Sequence, residues 1–99
     1  MNTLIIAGKV VEEPQKSVSS NGVNIARFKM AVDKNGKDGS VNGYDLFEVV
    51  VFRELADVNL EVGQFVGVTG KISANNYEKE GKSYYNCSVI GNVISLLGK

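Results

Sequence analysis

The chain has 99 residues, of which 11 are basic and 11 acidic, with no histidine, one cysteine and one proline. Its length suits a single core, so we expect residues 1–99 to form one domain. The lack of histidine excludes Ser-His and Cys-His catalytic dyads and the commonest metal ligand, and a lone cysteine excludes a disulfide framework. The balanced charge predicts no basic tail, although a basic stripe on one face remains compatible with it.

No segment of the sequence predicts a membrane span or a signal peptide. The longest apolar runs, Leu4–Ala7 and Val49–Phe52, hold about four residues, whereas a membrane helix needs roughly 20. The first residues lead into a strand-like run without a charged segment before a long apolar stretch. Since the lone Cys87 suits a reducing compartment, we expect a cytoplasmic protein with no membrane partner.

The composition predicts an all-β chain, because 15 valines and six isoleucines outnumber six leucines and five alanines. Alternation is clearest in the second predicted strand, where Phe28 and Met30 point one way and Arg27 and Lys29 the other. Since proline cannot donate a hydrogen bond to a sheet, Pro14 is expected to follow the end of the first strand. The predicted strands are Thr3–Val11, Asn24–Asp33, Tyr44–Phe52, Gln64–Asn75 and Ser83–Leu96.

A short helix is predicted over Arg53–Leu60, between the third and fourth strands, with Leu55, Ala56 and Val58 facing inward. Five strands with a helix at this position favour a five-stranded OB-fold barrel, in which closure removes the exposed sheet edges and the helix covers one end. An SH3-like barrel is the alternative, but its strands are shorter and it lacks this helix.

The third predicted strand is apolar on both faces. A barrel has only one interior, so the second apolar face is expected to meet a partner subunit or a ligand. A doubly buried central strand of a sandwich is the alternative. The two faces comprise Phe47, Val49 and Val51 on one side and Tyr44, Leu46, Val50 and Phe52 on the other.

Several motifs occur in the order and spacing of a known protein family. Each is weakly specific, but together they span nearly the whole chain, from Asn2 to about Leu97. They are Leu4-x-Ile6-x-Gly8-x-Val10, Phe28-Lys29-Met30-Ala31-Val32, Phe47-x-Val49-Val50-Val51-Phe52-x-x-Leu55-Ala56, Gly63-x-x-Val66-x-Val68-x-Gly70 and Tyr77-Glu78-x-x-Gly81-x-x-Tyr84-Tyr85. On these residues the chain resembles the bacterial and phage-type single-stranded DNA-binding proteins.

The resemblance implies an OB-fold protein that is not an enzyme and needs no cofactor. It implies sequence-independent binding of single-stranded DNA in replication, recombination and repair, by a homo-oligomer that is usually a tetramer, with a dimer as the alternative. Single strands stack their bases on aromatic side chains while cations contact the phosphates. Because this chain has few outward cations, we expect a shallow salt dependence.

The family's base-stacking positions map onto this sequence with one departure. Phe52 matches a stacking aromatic at the end of the third strand, and Tyr77 matches the aromatic of the hairpin between the fourth and fifth strands. Leu46 lies where many members carry a stacking aromatic, which weakens one platform. Ser73 and Asn75 lie where members often carry arginine or lysine, which implies a less basic groove.

Outward cations complete the candidate DNA-binding residues. Three lysines on outward strand faces are the candidates for phosphate contacts: Lys9, Lys29 and Lys71. The set also includes Arg53, Lys79 and Lys82.

The first strand carries the candidate oligomer interface. In the family this strand helps to build the contact between subunits, which implies an interface over Thr3, Ile5 and Ala7. The alternative is that Ile5 is an isolated apolar residue on the surface.

The sequence stops at Gly98-Lys99, whereas many bacterial members continue into a flexible linker and an acidic tip that recruits repair and replication enzymes. We therefore expect a tailless member that does not reach replication proteins through an acidic tail, or a member from which the tail has been removed. The alternatives are a primosome-type replication protein, or an assembly scaffold that uses its outer apolar face for protein partners. An OB domain that binds RNA or oligosaccharides is a third, less favoured alternative.

No catalytic or metal site is predicted. The paired carboxylates at Glu12-Glu13 lack partner groups and are interpreted as solvated. The segment 33–44 departs from a calcium-binding loop at its fifth, sixth and twelfth positions. Cys87 has no neighbouring histidine to activate it.

Overall fold

The computed structural model describes residues 2–35 and 41–98, except for the side chains of residues 35, 41–42, 75–77 and 84–86. Within this part, five strands and one 3-10 helix follow one another along the chain. Among the described residues, no helix is both long enough and apolar enough to cross a membrane. The elements are β1 (Leu4–Val18), β2 (Asn24–Asn35), β3 (Val41–Phe52), the 3-10 helix (Arg53–Asp57), β4 (Phe65–Lys79) and β5 (Lys82–Gly98).

The strands form a closed barrel in the order β1-β2-β3-β5-β4, which confirms the predicted five-stranded OB-fold. All neighbouring strands are antiparallel except β3 and β5. These two run parallel, and among the described residues they pair only at Val49 with Val89 and at Val50 with Ile90. The barrel is therefore closed by its shortest strand contact.

The helix between β3 and β4 is shorter than predicted. It spans Arg53–Asp57 as a 3-10 helix and ends because Val58 is extended, with φ −62° and ψ 138°. The inward residues are nevertheless those expected, since Ala56 is buried and Leu55 and Val58 pack against the core.

β1 continues past Pro14, contrary to the predicted end. Its pairing with β2 shifts register twice, between Val10 and Glu12 and between Glu12 and Gln15. Such bulges leave a residue unpaired, so the missing proline N–H removes no ladder bond there.

β4 and β5 extend beyond the barrel as a hairpin. The turn residues Glu80 and Gly81 both have positive φ, of 54° and 78°, as in the two-residue turns that match strand twist. Lys79 pairs with Lys82 across this turn.

The core lies inside the barrel and contains the alternating residues of every strand. Phe28 and Met30 are buried, as the alternation of β2 predicted, and they pack with valines of the other four strands. The fully buried valines are Val10, Val49, Val51, Val66, Val68 and Val89.

The outer face of β3 confirms that this strand is apolar on both sides. Tyr44 is 59% exposed, Leu46 56% and Phe52 38%, whereas Val50 is buried on the same face. Because the sheet closes as a barrel and these side chains reach solvent, the sandwich alternative is wrong.

Candidate nucleic-acid interface

A row of four outward residues crosses the barrel at the seam between β3 and β5. Arg27 on β2 pairs with Val50 on β3, Val50 pairs with Ile90 on β5, and Ile90 pairs with Lys71 on β4. Since neighbouring strands lie about 4.8 Å apart, the two cations stand at opposite ends of an apolar floor. This arrangement places two positive charges where a strand of nucleic acid could cross the sheet.

A groove of about 480 Å³ opens above this floor. Phe52 lines it two residues beyond Val50, so its ring forms one wall. Ser73 and Ser88, which pair across β4 and β5, line another part of it. The groove lies where β3 and β5 meet, beside their two paired rows.

A second row lies beside the first and carries charge of both signs. Lys29 on β2 pairs with Glu12 on β1 and with Glu48 on β3. Its Nζ lies 3.8 Å from Glu12 Oε2, and both side chains are about half exposed. Lys29 is therefore outward, as predicted, but an acid flanks it on each side.

Glu48 is fixed from the opposite side by β5. Ser88 Oγ–H donates to Glu48 Oε1 at 3.2 Å, in a partly buried position. This side-chain bond continues the contact between β3 and β5 one row beyond their backbone pairing.

Lys9 and Leu46 share a third row. Leu46 on β3 pairs with Ala31 on β2, Ala31 with Lys9 on β1, and Lys9 with Phe65 on β4. The Lys9 ammonium lies 5.8 Å from the centre of the Phe65 ring, within the range of a cation–π contact. The small Ala31 lies between Leu46 and Lys9, so a shallow path joins the outer face of β3 to β1.

Close approach of neighbouring strands in the barrel depends on two glycines. A Cβ at Gly8 would collide with the carbonyl oxygen of Ala31, and a Cβ at Gly70 would collide with that of Ile90. Backbone contacts of this kind admit no side chain.

Arg53 follows Phe52 directly and adopts a left-handed conformation, with φ 60°. Its side chain is exposed. A non-glycine residue is strained in this region by about 1 kcal/mol, so the turn that ends β3 is held by its surroundings.

The hairpin candidates lie away from these rows. Lys79 and Lys82 are exposed beside the turn. The backbone of Tyr77 pairs with Tyr84, but the side chain of Tyr77 lies outside the described residues.

The predicted oligomer residues lie on a different face. Thr3, Ile5 and Ala7 are exposed, and Ile5 is 74% exposed. Ile5 pairs with Thr69 on β4, and Thr69 pairs with the half-exposed Val93 on β5, so a partly exposed strip of these three residues extends across three strands. Among the described residues there is no group of three or more acidic or cysteine side chains that could hold a metal ion.

Sequence reasoning did not assign Arg27, Glu48 or Ser88, which line the groove, to a binding site. Arg27 was visible as an outward residue of β2, but nothing in the sequence placed it opposite Lys71. Glu48 and Ser88 are 40 residues apart, and only the strand register brings them together.

The family model for the single-strand binding protein family matches residues 1–97. The chain belongs to this family. The chain is 32% identical over 102 residues to the single-stranded DNA-binding protein 1 of Staphylococcus aureus Mu50, and 29% identical to the single-stranded DNA-binding protein 3 of Listeria innocua.

Each of these matches covers 98% of this chain, but the chain spans only 65% and 64% of these relatives. A solved structure, that of the small single-stranded DNA-binding protein from Streptomyces coelicolor, superposes with a TM-score of 0.76 at 24% identity. It covers 95% of this chain and 92% of that protein. This likeness shows the shared fold.

Proposed function

We propose that this protein binds single-stranded DNA across the outer face of β3 and its neighbours, and that it acts as a binder rather than an enzyme. The row from Arg27 to Lys71 carries this proposal, because it joins an apolar floor to a cation at each end. Phe52 supplies an aromatic wall beside that floor. Stacking on such a wall tolerates every base, while the cations contact phosphates.

The proposed DNA-binding surface extends in two directions from the row of Arg27 to Lys71. Leu46, Ala31 and Lys9 lead toward β1, and Arg53, Tyr77, Lys79 and Lys82 extend the candidate set toward the end of β3 and the hairpin. The names of the relatives support this proposal. As part of the same proposal, the protein acts in the cytoplasm, in DNA replication, recombination and repair.

Titration of a fluorescent dT oligomer against the protein at rising salt tests the proposal. We expect binding at low salt and a slope of log K against log salt with a magnitude below about five, since each phosphate contact on a single strand adds roughly 0.7. No binding at low salt would overturn the proposal.

We further propose that the exposed strip around Ile5 joins copies of the chain, as a tetramer or as a dimer. Its support is the high exposure of Ile5 beside Thr69 and Val93 on the neighbouring strands. A native mass spectrum measures the number of copies directly.

A further inference from the structure

Glu48 places a carboxylate in the middle of the proposed DNA-binding face. It lies on the outer side of β3, two residues from Val50 and four from Phe52, and it lines the same groove as both. At about 3.3 Å per residue, Val50 is roughly 7 Å from each of them along the strand. A flat group resting on Val50 therefore has Phe52 at one edge and Glu48 at the other.

The carboxylate is held in a defined position. Its Oε1 accepts the bond from Ser88 Oγ–H at 3.2 Å, and the residue is half-buried. An ionised carboxylate offers about four acceptor sites on its two oxygens. The Ser88 hydroxyl occupies one of these sites, so others remain for a ligand.

A phosphate group is disfavoured at this position, because its negative charge and that of the Glu48 carboxylate would repel each other in a partly desolvated groove. Lys29, which lies on β2 beside Glu48, is paired with Glu12 at 3.8 Å. Arg27 and Lys71, by contrast, stand at the ends of the first row and suit phosphate. The charge distribution therefore assigns the centre of the groove to bases and its ends to the backbone of the strand.

Bases differ in what they offer to a carboxylate. Cytosine presents a 4-amino group and adenine a 6-amino group, and glutamate accepts hydrogen bonds from such groups. Uracil and thymine carry an oxygen at position 4 instead, which a carboxylate repels.

We propose that Glu48 accepts a hydrogen bond from the amino group of a base seated over Val50, and so gives this subsite a preference for amino-bearing bases over thymine and uracil. This inference rests on the proposed function. It adds one base-reading position to an interface that otherwise tolerates every base.

Oligomers of dC and dU test the inference, because these bases differ at position 4 and in the proton on N3. Their dissociation constants are measured at pH 7.5 for the wild-type protein, for Glu48→Gln, and for Glu61→Gln. Glu61 is an exposed glutamate outside the groove, so this control removes the same charge elsewhere. A glutamine amide can both accept from cytosine and donate to uracil.

We expect the preference of the wild-type protein for dC over dU to fall roughly 3- to 10-fold in Glu48→Gln, in keeping with the replacement of a charge-assisted hydrogen bond by a neutral one. Glu61→Gln should keep the wild-type ratio. Ser88→Ala provides a second variant that leaves the carboxylate but releases it, and the ratio should fall by a smaller factor.

An unchanged ratio of the dC and dU dissociation constants in Glu48→Gln would overturn the inference while leaving the proposed function intact. If both oligomers then bound more tightly by the same factor, Glu48 would act only by repelling phosphates. If neither affinity changed, Glu48 would not contact the DNA. If the wild-type protein bound neither oligomer, the proposed function would fail, and the inference would fail with it.

Discussion

The side-chain amide of Asn2 forms two hydrogen bonds with the backbone of Ile72. Its Nδ2–H donates to the carbonyl oxygen at 2.6 Å, and its Oδ1 accepts from the amide N–H at 3.1 Å. The side chain thereby makes the kind of hydrogen bonds that the backbone of β1 makes with β4, and it joins the start of the chain to β4. A position that precedes the first strand contributes to the barrel in this way.

Replacing this amide should lower the free energy of unfolding. Asn2→Ala removes two solvent-exposed hydrogen bonds, and we expect a loss of about 1 kcal/mol, measured by urea denaturation. Asn59→Ala, at an exposed residue outside the strands, is the matched control. Equal stability of Asn2→Ala and the wild-type protein would contradict the structural role of this pair.

Phe52 should contribute to DNA affinity through stacking. Phe52→Ala is expected to weaken binding of a dT oligomer about tenfold, because a base–aromatic stack contributes about 1–3 kcal/mol. Leu46→Trp should tighten binding, since it adds an aromatic surface on the same face of β3. Val62→Ala removes an exposed apolar side chain elsewhere and should change neither affinity nor native mass. A Phe52→Ala variant that lost assembly while keeping full DNA affinity would instead support the scaffold alternative.

Glu12 is expected to weaken the contact between Lys29 and DNA. The pair is half exposed and 3.8 Å apart, so it contributes little to stability, but it competes with a phosphate for the ammonium group. Glu12→Gln is expected to tighten binding two- to threefold and to steepen the salt slope by up to about 0.7, the value of one added contact.

The neighbouring Glu13 supplies the control for this change, because it is exposed and belongs to the same strand. Glu13→Gln should have the smaller effect. If both variants tightened binding equally, the effect would be one of net charge and not of the pair between Glu12 and Lys29.

Arg53 is expected to lower the stability of the protein and to contribute to DNA affinity by placing a cation beside Phe52. Arg53→Gly relieves the left-handed strain at φ 60° and should raise the free energy of unfolding by about 1 kcal/mol, while DNA affinity falls. Arg53→Ala should weaken DNA binding to the same extent without the gain in stability. Thermal unfolding and oligomer titration measure the two effects, and equal stability of the two variants would argue against strain at this residue.

Ile5 should be required for assembly. Ile5→Lys places a charge on the exposed strip and is expected to lower the native mass. Val18→Lys changes another exposed apolar residue, at the other end of β1, and should leave the native mass unchanged. A native mass that is unchanged by Ile5→Lys would place the contact on another face.

The sequence predicted those features that depend on local periodicity. The alternation of Phe28 and Met30 identified the core face of β2, and the two apolar faces of β3 identified its exposed surface. The end of β1 was predicted wrongly, because bulges accommodate Pro14 and bulges depend on the pairing strand.

Features set by strand register could not be predicted in the same way. That Lys29 lies between Glu12 and Glu48 follows from three strands meeting at one row, and a single sequence contains no record of that alignment. The same holds for the contact of Ser88 with Glu48.

The parallel seam between β3 and β5 has a consequence for motion. In the described part of the chain only Val49 with Val89 and Val50 with Ile90 join these strands, so this contact breaks with the loss of fewer backbone bonds than any other in the barrel. Local opening of this kind draws on the least stable contacts of a fold. Because the groove lies directly above the seam, such opening would widen it while β1 stays paired with both of its neighbours. The local opening that separates β3 from β5 would then also make room in the groove for a bulky base.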